Sequence, residues 1–165
     1  MPGLHWESFE TGQSFAHEPG RTITEADNVL FCSMTMNTQP LHLDQAWAKQ
    51  GPFGRPVVNG ILTFALAVGI SVRDLTEGTL VANLGYEDLR HPAPVFHGDT
   101  IRVTSKVEGK RLTSRPGRGI VTIRSDVHNQ DDVLVCTFRR QVMVQTRDPE
   151  LVRAEPIDDE ERGGD

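Results

Sequence analysis

Three side chains in the turn Asn37-Thr-Gln39-Pro-Leu-His42, the side chain of Asn59 and the backbone N–H of Gly60 are of types that do chemistry. An imidazole is the one side chain whose ordinary pKa, ~6.5, lets it take and return a proton near neutral pH. Asn59-Gly60 opens the most apolar run of the chain, Val57 to Ile70, with Asn59 as a candidate N-cap and Gly60 in the first turn. A helix start carries free backbone N–H groups and a partial positive charge. The pairing of His42 with Gly60 therefore offers a proton carrier and a place to hold an oxyanion. Each has a plainer alternative. A histidine can bond a loop carbonyl, Asn37 and Gln39 are turn formers by type, and glycine at 60 can serve close helix packing.

These residues need elements to position them. Thr24-Glu-Ala-Asp27 predicts a helix start close to a capping box, with about ten helical residues and Val29, Leu30, Cys32 and Ser33 on the apolar face. Asp44 to Lys49 reads as a short helix capped by Asp44, with Trp47 as its buried residue. A Gly/Pro loop over 51–56 leads into the long apolar helix, which ends near Arg73, Asp74 and Gly78. Before all this, Phe9 and Phe15 anchor a polar segment, and Arg21 to Ile23 is a short strand.

The second half reads as strands. They cover 79–89 with a bulge at Gly85, 101–107, 119–127 and 133–144, the last with Leu134, Cys136, Phe138, Val142 and Val144 on one side. Asn129 to Asp132 is a hairpin turn, 108–118 a basic connection, and His91 and His97 solvated loop residues. A helix apolar nearly all round must be buried on most sides. A curved antiparallel sheet wrapped around it achieves this, an α+β fold. The expected organisation is a single domain over 1–148 and a polar, frayed tail over 149–165. Open sheet edges favour a homodimer.

Composition narrows the function. The chain has 165 residues, 37% hydrophobic and 24% charged, with a formal net charge of −6. That balance argues against nucleic-acid binding, which wants a basic surface. It leaves room for a local phosphate site on Lys106, Lys110, Arg111, Arg115 or Arg118, or on Arg139 or Arg140. Cys32 and Cys136 lie in apolar surroundings as free thiols, and the histidines and cysteines show no ligand spacing, so no metal is expected. The N-terminus lacks the charged and apolar regions of a secretory signal, the apolar run is short of the ~20 residues of a membrane span, and a cytoplasmic protein is expected.

Thr-Glu-Ala-Asp, then Gln-Pro-Leu-His, then Asn-Gly-Ile-Leu, then Pro-Val-Phe-His-Gly-Asp-Thr-Ile together resemble the MaoC-like dehydratases over roughly residues 10 to 145. These are hotdog folds that include R-specific enoyl-CoA hydratases and mesaconyl-CoA hydratases. The resemblance implies reversible hydration of a 2-enoyl-CoA with no cofactor, coenzyme A being part of the substrate. It implies His42 as proton carrier, Gly60 N–H as oxyanion donor, and Gln39 and Asn59 as substrate contacts. Asn37 stands where the family has an aspartate. An amide cannot take a proton, but it can donate a hydrogen bond to a substrate that carries its own carboxylate, such as mesaconyl-CoA. Arg55 is the nearest cation to pair with that group. The alternative is a catalytically impaired acyl-CoA-binding hotdog or a thioesterase-like subunit, although Val57 to Val72 holds no Asp or Glu for hydrolysis.

Overall fold

In the computed structural model, which describes residues 3–152, nine elements follow a short 3-10 turn at Trp6–Ser8. They are β1 (Ser14–Thr22), α1 (Glu25–Met34), α2 (Pro40–Leu43), α3 (Gln45–Lys49), α4 (Gly60–Leu75), β2 (Leu80–Arg90), β3 (Thr100–Leu112), β4 (Arg118–His128) and β5 (Leu134–Gln145). The strands form one antiparallel sheet in the order β1-β3-β4-β5-β2, and α4 packs across its inner face. This is the arrangement expected of a hotdog.

Local chemistry sets the element ends. Thr24 and Asp27 form the complete capping box of α1, each side chain accepting from the other's backbone N–H. Asp44 caps α3 through the Trp47 N–H, and Asn59 caps α4 through the Ile61 N–H. The β2–β5 register shifts between Asn83 and Gly85, the irregularity that a glycine within a strand signals. Among the described residues no helix is long and apolar enough to cross a membrane.

Several expectations need correction. The N-terminal segment is a full edge strand, β1, where only Arg21 to Ile23 was expected as strand. The ladder β3–β4 runs on through Leu112 and Gly119, so much of the basic connection is strand. In α1 the buried face is Asn28 and Cys32, while Val29 and Leu30 face out. Ala48, not Trp47, is the buried residue of α3. Leu134 is only half-buried, whereas Arg140 shares the buried row of Cys136, Phe138, Val142 and Val144. Of the expected tail, the Leu151 carbonyl accepts from the Gly117 N–H, and 153–165 lie outside the described residues.

The core is two apolar clusters with a polar seam between them. One gathers around Ala67, Val103, Val127 and Phe138, the other around Leu75, Val107, Ile123 and Val142. Midway along the same elements come Ser71, Ser105, Ser125 and Arg140. Buried His17 joins the seam. Its Nδ1 lies 2.8 Å from an Asp74 carboxylate oxygen, its Nε2 2.9 Å from Ser105 Oγ, and Ser105 Oγ 2.8 Å from Ser125 Oγ. Arg140 donates to Ser71 Oγ at 2.9 Å, and burial lowers its pKa, offset in part by Tyr86.

One side of α4 stays open. Ile61, Ala65, Gly69 and Val72 are exposed, as are Leu80, Val81, Leu84 and Tyr86 on the edge strand β2. Phe64 bridges the two surfaces, with its ring edge-on to Tyr86 at 4.8 Å and to Phe138 at 4.9 Å between centroids. The helix is therefore covered on one side only within a single chain.

Candidate active site

His42 and Gly60 line one cavity of about 190 Å³, between the start of α4 and the segment His91 to Val95 that follows β2. Val57 and Val58 bring the chain there. Val57 bridges to Phe96, and the Val58 N–H donates to the Val95 carbonyl at 2.8 Å. A larger groove of about 450 Å³ runs along the open side of α4, but it offers neither an imidazole nor a helix start.

The tautomer of His42 follows from its partner. Nδ1 lies 2.8 Å from the Val57 carbonyl oxygen, which can only accept, so Nδ1 carries the hydrogen. In the neutral ring Nε2 is then a bare lone pair, and it has no partner among the described residues. The plainer role of a histidine, bonding a loop carbonyl, is thus present and leaves the second nitrogen free. Gly60 N–H is the first amide of α4 and has no intrahelical acceptor. Asn59 spends its side-chain oxygen on the next amide, Ile61 N–H, at 2.9 Å, so Gly60 N–H has no partner among the described residues.

Asn28 and Thr63 were not singled out in the sequence, and His91 and His97 were expected only as solvated loop residues. Asn28, fully buried, ties the loops together. Its Oδ1 accepts from Asn59 N–H at 2.8 Å, and its Nδ2 donates to the His42 carbonyl at 3.0 Å and to His97 Nε2 at 3.2 Å. His97 is accordingly held in the structure, not free in solvent. His91 keeps one side in solvent, yet it lines the cavity and its ring lies on Gly60. A Cβ at residue 60 would sit 2.9 Å from His91 Nε2. Burial lowers the His91 pKa, with the Val135 carbonyl opposing part of the shift. Thr63, 1% exposed, also lines the cavity, and its hydroxyl has no hydrogen-bond partner among the described residues. A buried polar residue in α1 and a hydroxyl in the buried stripe of α4 were the available signals.

The other candidates stand outside the cavity lining. Asn37 Oδ1 accepts from Gln39 N–H at 3.1 Å, closing the turn before α2, and Gln39 is exposed. Arg55 is exposed and lies 3.8 Å above the Phe96 ring. Of the phosphate candidates, Lys110 sits on the Trp6 ring, Arg139 is paired with Glu108, Asp88 and Glu87, and Arg140 is buried. The Asp74–His17–Ser105 chain has the residue types of an acyl-transfer triad, but Ser105 is buried, with its Oγ bonded to Ser125 Oγ, and offers no nucleophile to a substrate.

The chain is similar to several known proteins. The chain is 35% identical to a beta-methylmalyl-CoA dehydratase of Chloroflexus aurantiacus over 94% of its own length and 44% of the relative's. It is 32% identical to a mesaconyl-CoA hydratase of Cereibacter sphaeroides over 88% of its length and 42% of that protein's. The chain therefore spans about half the length of the curated relatives it matches. A MaoC domain protein dehydratase from Chloroflexus aurantiacus superposes with a TM-score of 0.86 at 35% identity, covering 94% of this chain and 44% of that one. A Mycobacterium tuberculosis protein with a double hotdog fold gives 0.78 at 27% identity, over 87% of this chain and 44% of that one. The family model described as MaoC like domain matches residues 8–129. With that match across most of its length, the chain belongs to the MaoC-like dehydratase family.

Proposed function

We propose that the protein catalyses reversible hydration of a 2-enoyl-CoA thioester, with a branched, dicarboxylic acyl group such as mesaconyl as its substrate. The observation that carries this is the His42–Val57 hydrogen bond, which leaves Nε2 bare on a residue that lines one cavity with Gly60, the first residue of α4. In the forward direction Nε2 takes a proton from water as its oxygen bonds to Cβ. The double-bond electrons move through Cα to the thioester oxygen, which Gly60 N–H receives. Such a donor is worth about 3–4 kcal/mol in a transition state. The proton on Nε2 then passes to Cα, the thioester carbonyl re-forms, and His42 is restored. Asn37 takes no proton in this scheme.

The names of the two relatives supply the acyl class, and the small cavity suits a short chain. We further assign a cytoplasmic homodimer with no resident cofactor. The open side of α4 and the apolar edge strand β2 support the dimer. The test is loss of enoyl absorbance with crotonyl-CoA, a longer 2-enoyl-CoA and mesaconyl-CoA. Turnover of mesaconyl-CoA that disappears in His42→Ala is expected. No turnover of any of the three, with acyl-CoA still bound, would overturn the reading in favour of a binding protein.

A further inference from the structure

We propose that the Thr63 hydroxyl, with His42 Nε2, holds the water that adds to the substrate. The inference rests on the hydration chemistry proposed above. Thr63 is 1% exposed and lines the cavity, and its Oγ1 finds no partner among the described residues. Leaving a buried hydroxyl unpaired is costly, so a folded protein that keeps one at a cavity wall keeps it for an occupant. The rest of that wall is mostly apolar, with Val57, Val58, Ala93, Pro94 and Val135. A water, small enough to meet this hydroxyl and Nε2 together, fits this setting.

The spacing agrees with the chemistry. Thr63 follows Gly60 by three residues, so it lies almost one helical turn further along α4, about 4.5 Å of rise. With the thioester oxygen at Gly60 N–H, Cβ stands two bonds beyond the carbonyl carbon, and the water that adds to it must lie in the cavity that Gly60 and Thr63 both line. His91, whose ring lies on Gly60, lines the same cavity. The hydroxyl can accept one water hydrogen while Nε2 accepts the other. The hydrogen on Nε2 is the one transferred, and the other stays on the product hydroxyl. Asn37 and Gln39, the polar side chains of the turn before α2, are absent from the lining.

Thr63→Val removes the hydroxyl at nearly constant shape and leaves no stranded partner. It is expected to lower kcat for hydration of both crotonyl-CoA and mesaconyl-CoA about 10- to 100-fold, with KM little changed. Thr63→Ser is expected to retain most of kcat. Exchange of the Cα hydrogen of butyryl-CoA with D2O needs His42 and Gly60 but no attacking water. It should be unchanged in Thr63→Val and absent in His42→Ala. The melting temperature of Thr63→Val should equal or exceed that of the wild type. Wild-type hydration rates in Thr63→Val would overturn the inference. An exchange rate that falls as far as hydration would do so too, because the hydroxyl would then act through His42 or the fold. A wild-type protein that hydrates no enoyl-CoA would overturn the proposed function itself, and this inference with it.

Discussion

Replacing His42 with alanine removes a side chain held at one nitrogen and bare at the other, so hydration should fall about 10²- to 10⁴-fold while acyl-CoA still binds. Steady-state kinetics beside calorimetric titration check this. His91 gives a second prediction at the same scale. Burial sets its pKa in the folded protein below the ordinary value of 6.5. Between the two pKa values the unfolded chain binds more protons than the folded one. The stability tied to the neutral ring is therefore present in full above about pH 6.5 and is lost as pH falls from there through the lower pKa of the folded protein. Melting temperatures from pH 8 to pH 5 should fall less steeply for His91→Gln than for the wild type. His42 and Gly60 were legible in the sequence because a turn rich in amide side chains and an Asn-Gly helix start are local patterns. Thr63 and His91 were not. A threonine within an apolar run and a histidine beside a proline acquire their roles only when α4 and the segment after β2 close on one cavity.

At the scale of elements, Asn28 joins α1 to the residue that carries the imidazole and to the cap of α4. Asn28→Ala strands the buried Asn59 N–H, a loss of about 1–3 kcal/mol. Chemical denaturation should show that loss, and activity should fall with it as His42 shifts. Asn59→Ala removes the cap of α4 and should cost about 1 kcal/mol. The caps, the long helix and the four later strands follow from short-range chemistry and alternation, and all were readable from the residues. The strand β1 was not, because Pro19, Gly20 and charged side chains mask its alternation and its partner β3 lies far along the chain. The outward turn of Val29 and Leu30 was equally hidden, since periodicity finds an apolar face without saying what will cover it.

For the whole molecule, an exposed apolar edge strand beside a half-covered helix predicts association. Sedimentation should give about twice the 18.3 kDa chain mass, and Leu84→Lys, at a position 45% exposed in one chain, should shift it toward the single chain without unfolding it. Both cysteines are buried, and burial, aided by the charge of Asp126, pushes the Cys136 thiol up to about 12. A thiol reagent at pH 8 should label neither in the native protein and both after denaturation. The polar seam has a consequence for assembly of the sheet. An alternating strand that slips by two residues past its neighbour still keeps every apolar side chain indoors, so alternation alone leaves such misalignments degenerate. The seam breaks that degeneracy. In the native pairing Ser105 stands opposite Ser125 with His17 at hand. A slip of two sets each serine against a valine or isoleucine and leaves buried hydroxyls and an imidazole unpaired. The seam thus acts as an alignment mark, selecting one pairing among those that the apolar pattern would accept.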